Sequence, residues 1–317
     1  MTKQPTRLTV AQKICRPLPP VISQKIRTWL YPYATAQQDN YEFLVRSQTG
    51  SRLRGTTKDF HGYPFSVHGY YEWRNTAIAL AAASAGDVII EVGANVGTET
   101  VGLSDIVGEQ GKVHAFEPLP SNADFLRDLA RRTTHPNIVV HTRALSDKNE
   151  TATFQIPVEH MSGSGFTTRD GGDSGTGTVE IHCSTLDSMS GDIEPARIIF
   201  MDTEGEEIRI LRGAAGYIRQ CRPAIVLEAS PQLLHRAGFT IGDLYREVTS
   251  LGYAPYKIVR FGLEKVASPD PGNVDNWLCV TRDQRPLVGK VRRSILACGL
   301  MPCVRGLNPL SRAGNSS

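Results

Sequence analysis

The stretch IIEVGANVGTET, residues 89–100, decides the fold of this chain. The apolar run DVIIEV (87–92) reads as a short strand, and VGTETVGLSDIVG (96–108) as a helix closed by Gly108. Between them Gly93, Ala94, Asn95, Val96 and Gly97 make a tight, glycine-bounded turn. A strand that runs through such a turn into a helix opens a doubly wound α/β unit, whose ligands bind beyond the carboxyl ends of the strands.

The alternation continues outward from that unit. KVHAFEP (112–118) is predicted as a strand, NADFLRDLARRT (122–133) as an amphipathic helix, and NIVVHTRAL (137–145) as a third strand. TATFQIP (151–157) and TVEIHCSTL (178–186) have the two-residue period of half-exposed strands and are predicted to pair as a hairpin around the Gly/Ser/Thr-rich segment 161–177. The pattern resumes with strand ARIIFMD (196–202), helix EEIRILRGAAGYIRQ (206–220), strand AIVLEAS (224–230) and helix TIGDLYREVTSLG (240–252), which Thr240 caps. YAPYKIV (253–259) and DNWLCVT (275–281) have no helix between them and are predicted to be antiparallel. Upstream, YYEWRNTAIALAAASAG (70–86) is a helix. The fold class is therefore α/β, a mostly parallel sheet with helices on both faces.

Charge divides the 317 residues unevenly. Residues 1–60 carry +7 and residues 282–317 carry +6, which leaves −10 for the remainder of a chain whose total is +3. An acidic body argues against nucleic acid as a partner, because phosphate binding needs a basic groove. We expect an irregular basic N-terminal extension over 1–69, a catalytic-type domain over 70–281 and a basic tail over 282–317. The ends are capable of touching anionic surfaces, but solvated tails are the expectation. ILACGLMPCV (295–304) is too short to span a membrane and would pack on the body or lie on a surface. With no signal-type leader, no transmembrane segment and six scattered cysteines, the expected setting is soluble and cytoplasmic.

The glycine turn is not a dinucleotide fingerprint. Asn95 stands where G-x-G-x-x-G would place its second glycine, so NAD or FAD fits poorly. Glu117 ends the next strand about 20 residues on, where a carboxylate matches both hydroxyls of a ribose. Together the two features favour S-adenosylmethionine, with Glu91 or Asn95 placed to hydrogen-bond its amino or carboxyl group.

With these residues assembled, the chain resembles the FkbM family of S-adenosylmethionine-dependent methyltransferases. The matching pieces occur in order: 86–100, VHAFEPLPSN (113–122), ALSD (144–147), STLD (184–187), IIFMDTEGEEIRILRGA (198–214) and RPAIVLEAS (222–230). Against the family pattern, Glu91 stands for a commoner Asp, Thr203 for Val and Glu206 for Ala. The resemblance implies the class I methyltransferase (Rossmann-like) fold, a seven-stranded sheet with its last strand antiparallel. It implies that Glu91, Gly93, Ala94, Asn95 and Gly97 line the methionine end of the cofactor. Glu117 and Pro118 would hold the ribose, and Ala144, Leu145 and Asp147 the adenine. Asp202 would lie near the transferred methyl, with Glu72 reaching the cofactor's amino group.

The expected reaction is O-methylation of a hydroxyl on a sugar, glycan or natural-product scaffold. Asp202 or Glu204 would serve as general base, or Asp202 and Glu228 would hold a divalent cation such as magnesium. Alternatively, Glu204 and Glu206 only supply negative charge to the first turn of the following helix. His141, His160 and His182 are alternative bases, the segment 161–177 a candidate lid, and Tyr70, Tyr71 and Trp73 a candidate sugar platform. A non-catalytic binding module and an NAD-dependent oxidoreductase are the rival readings.

Overall fold

The computed structural model describes residues 3–156, 166–168, 177–270, 272 and 274–312. Three helices come first, α1 (Thr6–Cys15), α2 (Pro20–Leu30) and α3 (Tyr33–Asp39), then a hairpin of β1 (Glu42–Arg46) and β2 (Arg52–Thr56). Helices α4 (Gly62–His68) and α5 (Trp73–Ala82) lead to β3 (Val88–Val92), α6 (Thr100–Val107), β4 (Lys112–Phe116), α7 (Pro120–Arg132) and β5 (Ile138–His141). A side sheet follows, from β6 (Ala144–Leu145), β7 (Glu150–Ile156), β8 (Phe166–Thr168) and β9 (Gly177–Ser184). The main sheet resumes with β10 (Ile198–Met201), α8 (Glu207–Gly213), α9 (Ala215–Cys221), β11 (Ala224–Ala229), α10 (Pro231–Arg236) and α11 (Ile241–Ser250). Strands β12 (Ala254–Val259), β13 (Gly262–Lys265) and β14 (Asp275–Val280), then α12 (Arg285–Leu300), complete it.

The main sheet has the order β13-β12-β14-β11-β10-β3-β4-β5. Strands β5, β4, β3, β10 and β11 run parallel, and β14 is antiparallel to both β11 and β12. Seven of these strands match the expected sheet, and β13 adds an eighth at the edge, formed from the segment between the two final strands. The central strands read as near-continuous apolar runs because both faces are covered: Ile89, Ile198, Ile199 and Leu227 are fully buried. Order reverses between β3 and β10, so the cleft opens above these two strands.

Local chemistry accounts for the helix ends. Thr240 and Asp243 form a reciprocal capping box at the start of α11, as its threonine suggested. The predicted helix 206–220 divides at Ala214 into α8, which ends at Gly213, and α9. A β-carbon on Gly213 would lie 1.9 Å from the Ser146 carbonyl oxygen, so the ALSD segment can rest against α8 only over a glycine. The predicted strand 137–145 also divides: β5 joins the main sheet, and β6 pairs with β9 in the side sheet. The predicted hairpin is present as β7 and β9, paired antiparallel from Glu150↔Cys183 to Ile156↔Gly177.

Both ends depart from expectation. Residues 6–39 are helical, and Leu8, Ala11, Cys15, Tyr31, Ala36, Tyr63 and Val67 form a small core between them and α4. The expected basic tail contains the 16-residue helix α12, which packs on α5 and buries Val291, Ile295 and Cys298 in the main core. The reason is periodicity: Leu287, Val288, Val291, Ile295 and Cys298 recur on one face, and the cations occupy the other. Replacing Ile295 by Ala should therefore cost about 2–5 kcal/mol in urea unfolding. A solvated tail would lose less than about 0.5 kcal/mol.

Candidate active site

The cleft begins at the turn after β3. Gly93 has φ of +85°, and a β-carbon on it would sit 2.0 Å from the Asp202 carbonyl oxygen. The Asp202 N–H bonds to the Val92 carbonyl (3.0 Å), and the Gly93 and Ala94 N–H groups both reach the Phe116 carbonyl (3.0 Å). Only glycine lets the ends of β3 and β10 come this close. Asn95 has φ of +48°, a left-handed conformation that asparagine adopts more readily than most residues. Its side-chain amide faces His61 Nδ1 at 3.1 Å, and its oxygen accepts from Asn122 at 3.3 Å.

Glu117 ties this turn to the end of β4. One carboxylate oxygen accepts the Asn95 N–H (3.0 Å), and the other accepts the Leu119 N–H (2.9 Å). The carboxylate is 5% exposed, and burial pushes its pKa up to about 7 against those bonds. It lines a cavity of about 110 Å3 with Phe116, Pro118, Arg143, Ala144 and Leu145, and the side sheet supplies Phe154 and Ile181 as a wall. Apolar side chains at one end and a bonded carboxylate at the other suit a flat heterocycle joined to a polyol.

A second cavity of about 140 Å3 shares His61, Val92, Gly93, Asn95 and Asp202 with the first. Its walls carry Glu72, Glu91, Glu99, Asp202 and Glu228, with Tyr71, Asn75 and Asn276 and, among the described residues, neither Lys nor Arg. Burial drives all five acids upward, reinforced for Asp202 by Glu72 and for Glu228 by Asp202. Asp202 rises to about 7, and Glu91 and Glu228 to about 8. Asp202 is open to the water of the cleft yet ringed by protein, which is why solvent contact and a raised pKa coexist. Glu91 Oε2 and Asn75 Oδ1 are buried with no hydrogen-bond partner among the described residues. An orphaned carboxylate oxygen among other acids calls for a cationic, hydrogen-bonding ligand.

The candidates from sequence divide at this point. Glu91, Gly93, Ala94, Asn95, Glu117, Pro118, Ala144, Leu145, Asp202, Glu204 and Glu228 all line one or both cavities. Gly97 lies behind the wall, its α-carbon facing Leu126 and Leu129 of α7, and so shapes the turn. Asp147 lines neither cavity; the chain turns from Leu145 into the contact with Gly213, carrying it away. Glu204 has φ of +57°, and its carboxylate lies 3.6 Å from Arg236, whose guanidinium also donates to the Glu204 carbonyl (2.9 Å). Glu206 faces Arg209 at 3.2 Å. Among the described residues no three His, Cys, Asp or Glu side chains gather as a metal site. His141 pairs with His114 (3.0 Å), His182 is exposed, and neither lines a cavity. His160 and most of the candidate lid lie outside the described residues. Of the aromatic platform only Tyr71 reaches the cavity, since Tyr70 and Trp73 are buried.

Several site residues escaped the sequence reading. His61, in the segment expected to be irregular, lines both cavities, and its ring lies 4.5 Å from that of Tyr71. Burial lowers its pKa, which keeps the imidazole neutral. Asn75 donates to Glu99 at 2.9 Å. Glu207 accepts from Thr203 N (3.1 Å), Thr203 Oγ1 (2.9 Å) and Gly205 N (3.4 Å), so it holds the turn that follows Asp202. The signal for Glu207 was an acid in the first turn of a helix after a Thr-x-Gly turn.

This sheet order, with a glycine turn after the first parallel strand and a bonded acid ending the second, is the architecture of the class I methyltransferase fold. The chain belongs to the FkbM methyltransferase family, whose domain model matches residues 91–255. It is similar to the hexuronic acid methyltransferase AglP of Haloferax volcanii, at 26% identity over 152 residues. That alignment covers 47% of this chain and 59% of the relative, so the chain spans less than two thirds of the relative's length. Among solved structures, an FkbM methyltransferase from Methylobacillus flagellatus aligns at 16% identity over 81% of this chain and 59% of its own, with a TM-score of 0.40. An S-adenosylmethionine-dependent O-methyltransferase from Thermotoga maritima aligns at 14% identity over 75% of this chain and 77% of its own, with a TM-score of 0.36.

The buried acids make a pH dependence with a definite sign. A carboxyl whose folded pKa lies above its unfolded value stabilises fully below the unfolded value and loses that contribution as pH rises through the folded one. For Glu91 the window runs from 4.5 to about 8. The ligand-free protein is thus expected to melt at a lower temperature near pH 9 than near about pH 5 through this group, and Glu91→Gln should flatten part of that fall. A melting temperature with the same pH slope in both proteins would contradict the burial argument.

Proposed function

We propose that this protein transfers a methyl group from S-adenosylmethionine to a hydroxyl of a sugar, glycan or natural-product scaffold. The observation that carries the reading is the pair of joined cavities, one with a bonded carboxylate beside apolar walls, the other acidic and free of Lys and Arg. The orphaned Glu91 oxygen and the glycine-only approach at Gly93 fit a ligand that brings positive charge close to backbone. Glu117 would hold the ribose hydroxyls. Phe116, Ala144 and Leu145 would enclose the adenine, and Glu91, Gly93 and Asn95 the methionine end. Bound there, the cofactor supplies an electrophilic methyl on a sulfonium.

The protein's own task is then to hold the acceptor oxygen in line and remove its proton. Asp202 is our choice of base, because it stands where the two cavities meet and a pKa of about 7 suits proton transfer near neutrality. Its neighbour Glu228, raised to about 8 in the ligand-free protein, lines the same cavity and is placed to contact the acceptor. Glu204 is engaged by Arg236 and serves the turn. Magnesium is not needed for this route. The family relationship supports methyl transfer, and the similarity to a hexuronic acid methyltransferase supports a sugar. With no Lys or Arg in the second cavity, neutral or amino sugars fit it better than a uronic acid.

S-Adenosylmethionine at a hundredfold excess over its Kd should stabilise the protein by about 2.7 kcal/mol, and NAD should not. Glu117→Ala is expected to abolish that stabilisation, and an unchanged shift would remove Glu117 from the ribose role. With labelled cofactor and a panel of glycans, Asp202→Asn should lower kcat by about 10²–10⁴-fold, and Glu204→Gln should lower it far less. kcat/KM should rise with pH through about 7 as Asp202 of the free enzyme ionises. Labelled methyl recovered on nitrogen or carbon alone would overturn the hydroxyl assignment.

A further inference from the structure

The two positively charged ends of the chain meet in the fold. Six cations and no acid occur in residues 1–38, and six cations and no acid in residues 284–317. These stretches meet in space: α2 packs against both α1 and α12, and the Cys303 N–H bonds to the Pro17 carbonyl at 2.9 Å. Some of the cations serve the interior. Arg27 lies over the Tyr63 ring at 4.7 Å, and Arg292 donates to the Leu263 carbonyl at 2.8 Å. Others face outward among apolar side chains.

The outward faces of the three helices repeat one pattern. Arg7, Val10 and Ile14 are exposed on α1, Ile22, Lys25 and Trp29 on α2, and Arg293, Leu296 and Leu300 on α12. Each trio is spaced to lie on one helical stripe, with one cation and two large apolar residues. Trp29 is 81% exposed, which is extreme for the largest apolar side chain. The chain beyond α12 continues the mixture with exposed Met301, Val304, Arg305 and Leu307. Solvated helices normally present polar residues on this face.

We propose that the layer formed by α1, α2 and α12 docks the protein peripherally on an anionic lipid bilayer. Lys and Arg interspersed with Trp, Leu and Ile, on three helices that carry no acid of their own, is the composition of an interfacial helix. Trp29, Ile22 and Leu300 enter the headgroup region, and Lys25, Arg7 and Arg293 meet lipid phosphates. Among the described residues no helix is long and apolar enough to cross a membrane, so the association is surface docking. The proposal is independent of the methyl-transfer reading and does not involve its site residues.

The test uses the full chain with vesicles of phosphatidylcholine alone and of phosphatidylcholine with about 30% phosphatidylglycerol. Trp73 and Trp277 are buried, so Trp29 is the solvent-exposed member of the three tryptophans and reports insertion. Co-sedimentation with the anionic vesicles, a blue shift of tryptophan emission and loss of both at high salt are expected. The double variant K25E/R293E should bind at least about tenfold more weakly, as should I22S/L300S, with unchanged circular dichroism and unchanged stabilisation by S-adenosylmethionine. Equal binding to both vesicle types, no binding, or sedimentation without a blue shift would overturn the proposal. So would concentration-dependent self-association abolished by I22S/L300S, which would make the face a contact between copies of this chain.

Discussion

The carboxylate of Glu117 joins two strand ends that would otherwise be independent. By accepting the N–H groups of Asn95 and Leu119, it fixes the turn after β3 against the turn after β4. The two hydrogen bonds favour the ionised form and burial opposes it; burial wins, and the group is held near neutrality. Asn95 then has little freedom, and its side chain carries the constraint on to His61 and Asn122. The other boundary of the cleft is the contact of Gly93 with Asp202. These two contacts place Asp202, Glu91 and Glu117 around one space although they are widely separated in sequence.

That space is electrostatically incomplete in the protein alone. Five carboxyl groups line the second cavity, and no Lys or Arg lines it. In water such groups would all be ionised at neutral pH; here desolvation and mutual repulsion keep protons on several of them. A ligand with a sulfonium and an ammonium group would reverse this balance, since each buried carboxylate gains from ionising beside it. Cofactor binding and proton release are thus linked in this arrangement, and the raised pKa values describe the ligand-free protein.

The sheet was legible from residues 87–281 because its strands are buried on both faces and its helices carry a strong 3.6-residue period. Errors fell where tertiary contact overrides local pattern. Nothing local in NIVVHTRAL says that Ala144 leaves the main sheet, because the break is set by pairing with Cys183. Nor could the sequence place Asp147 outside the cleft, since that follows from Ser146 resting over Gly213. The N-terminal helices were missed because their apolar faces are short and interrupted by Pro17, Pro19, Pro20 and Pro32. In the structure Pro19, Pro20 and Pro32 stand at or beside helix starts, where proline is tolerated, and Pro17 follows the end of α1. Glu91, Asn95, Glu117 and Asp202 could be read in advance because strand ends and turns fix their position by spacing alone. His61 could not, as its approach depends on where the whole N-terminal layer packs.

That layer is what makes the two ends part of the site. Helix α12 packs on α5, whose preceding residues Tyr71 and Glu72 line the acidic cavity, and α5 itself contributes Asn75. Helix α1 packs on α4, which follows directly from His61. Residues outside the matched span 91–255 therefore supply His61, Tyr71, Glu72, Asn75 and Asn276 to the cavities. The residues within that span build the turn and supply Glu117; those outside close the far wall. A difference in acceptor between this protein and its relatives is thus to be sought in the packing of α1, α4, α5 and α12 more than in the glycine turn.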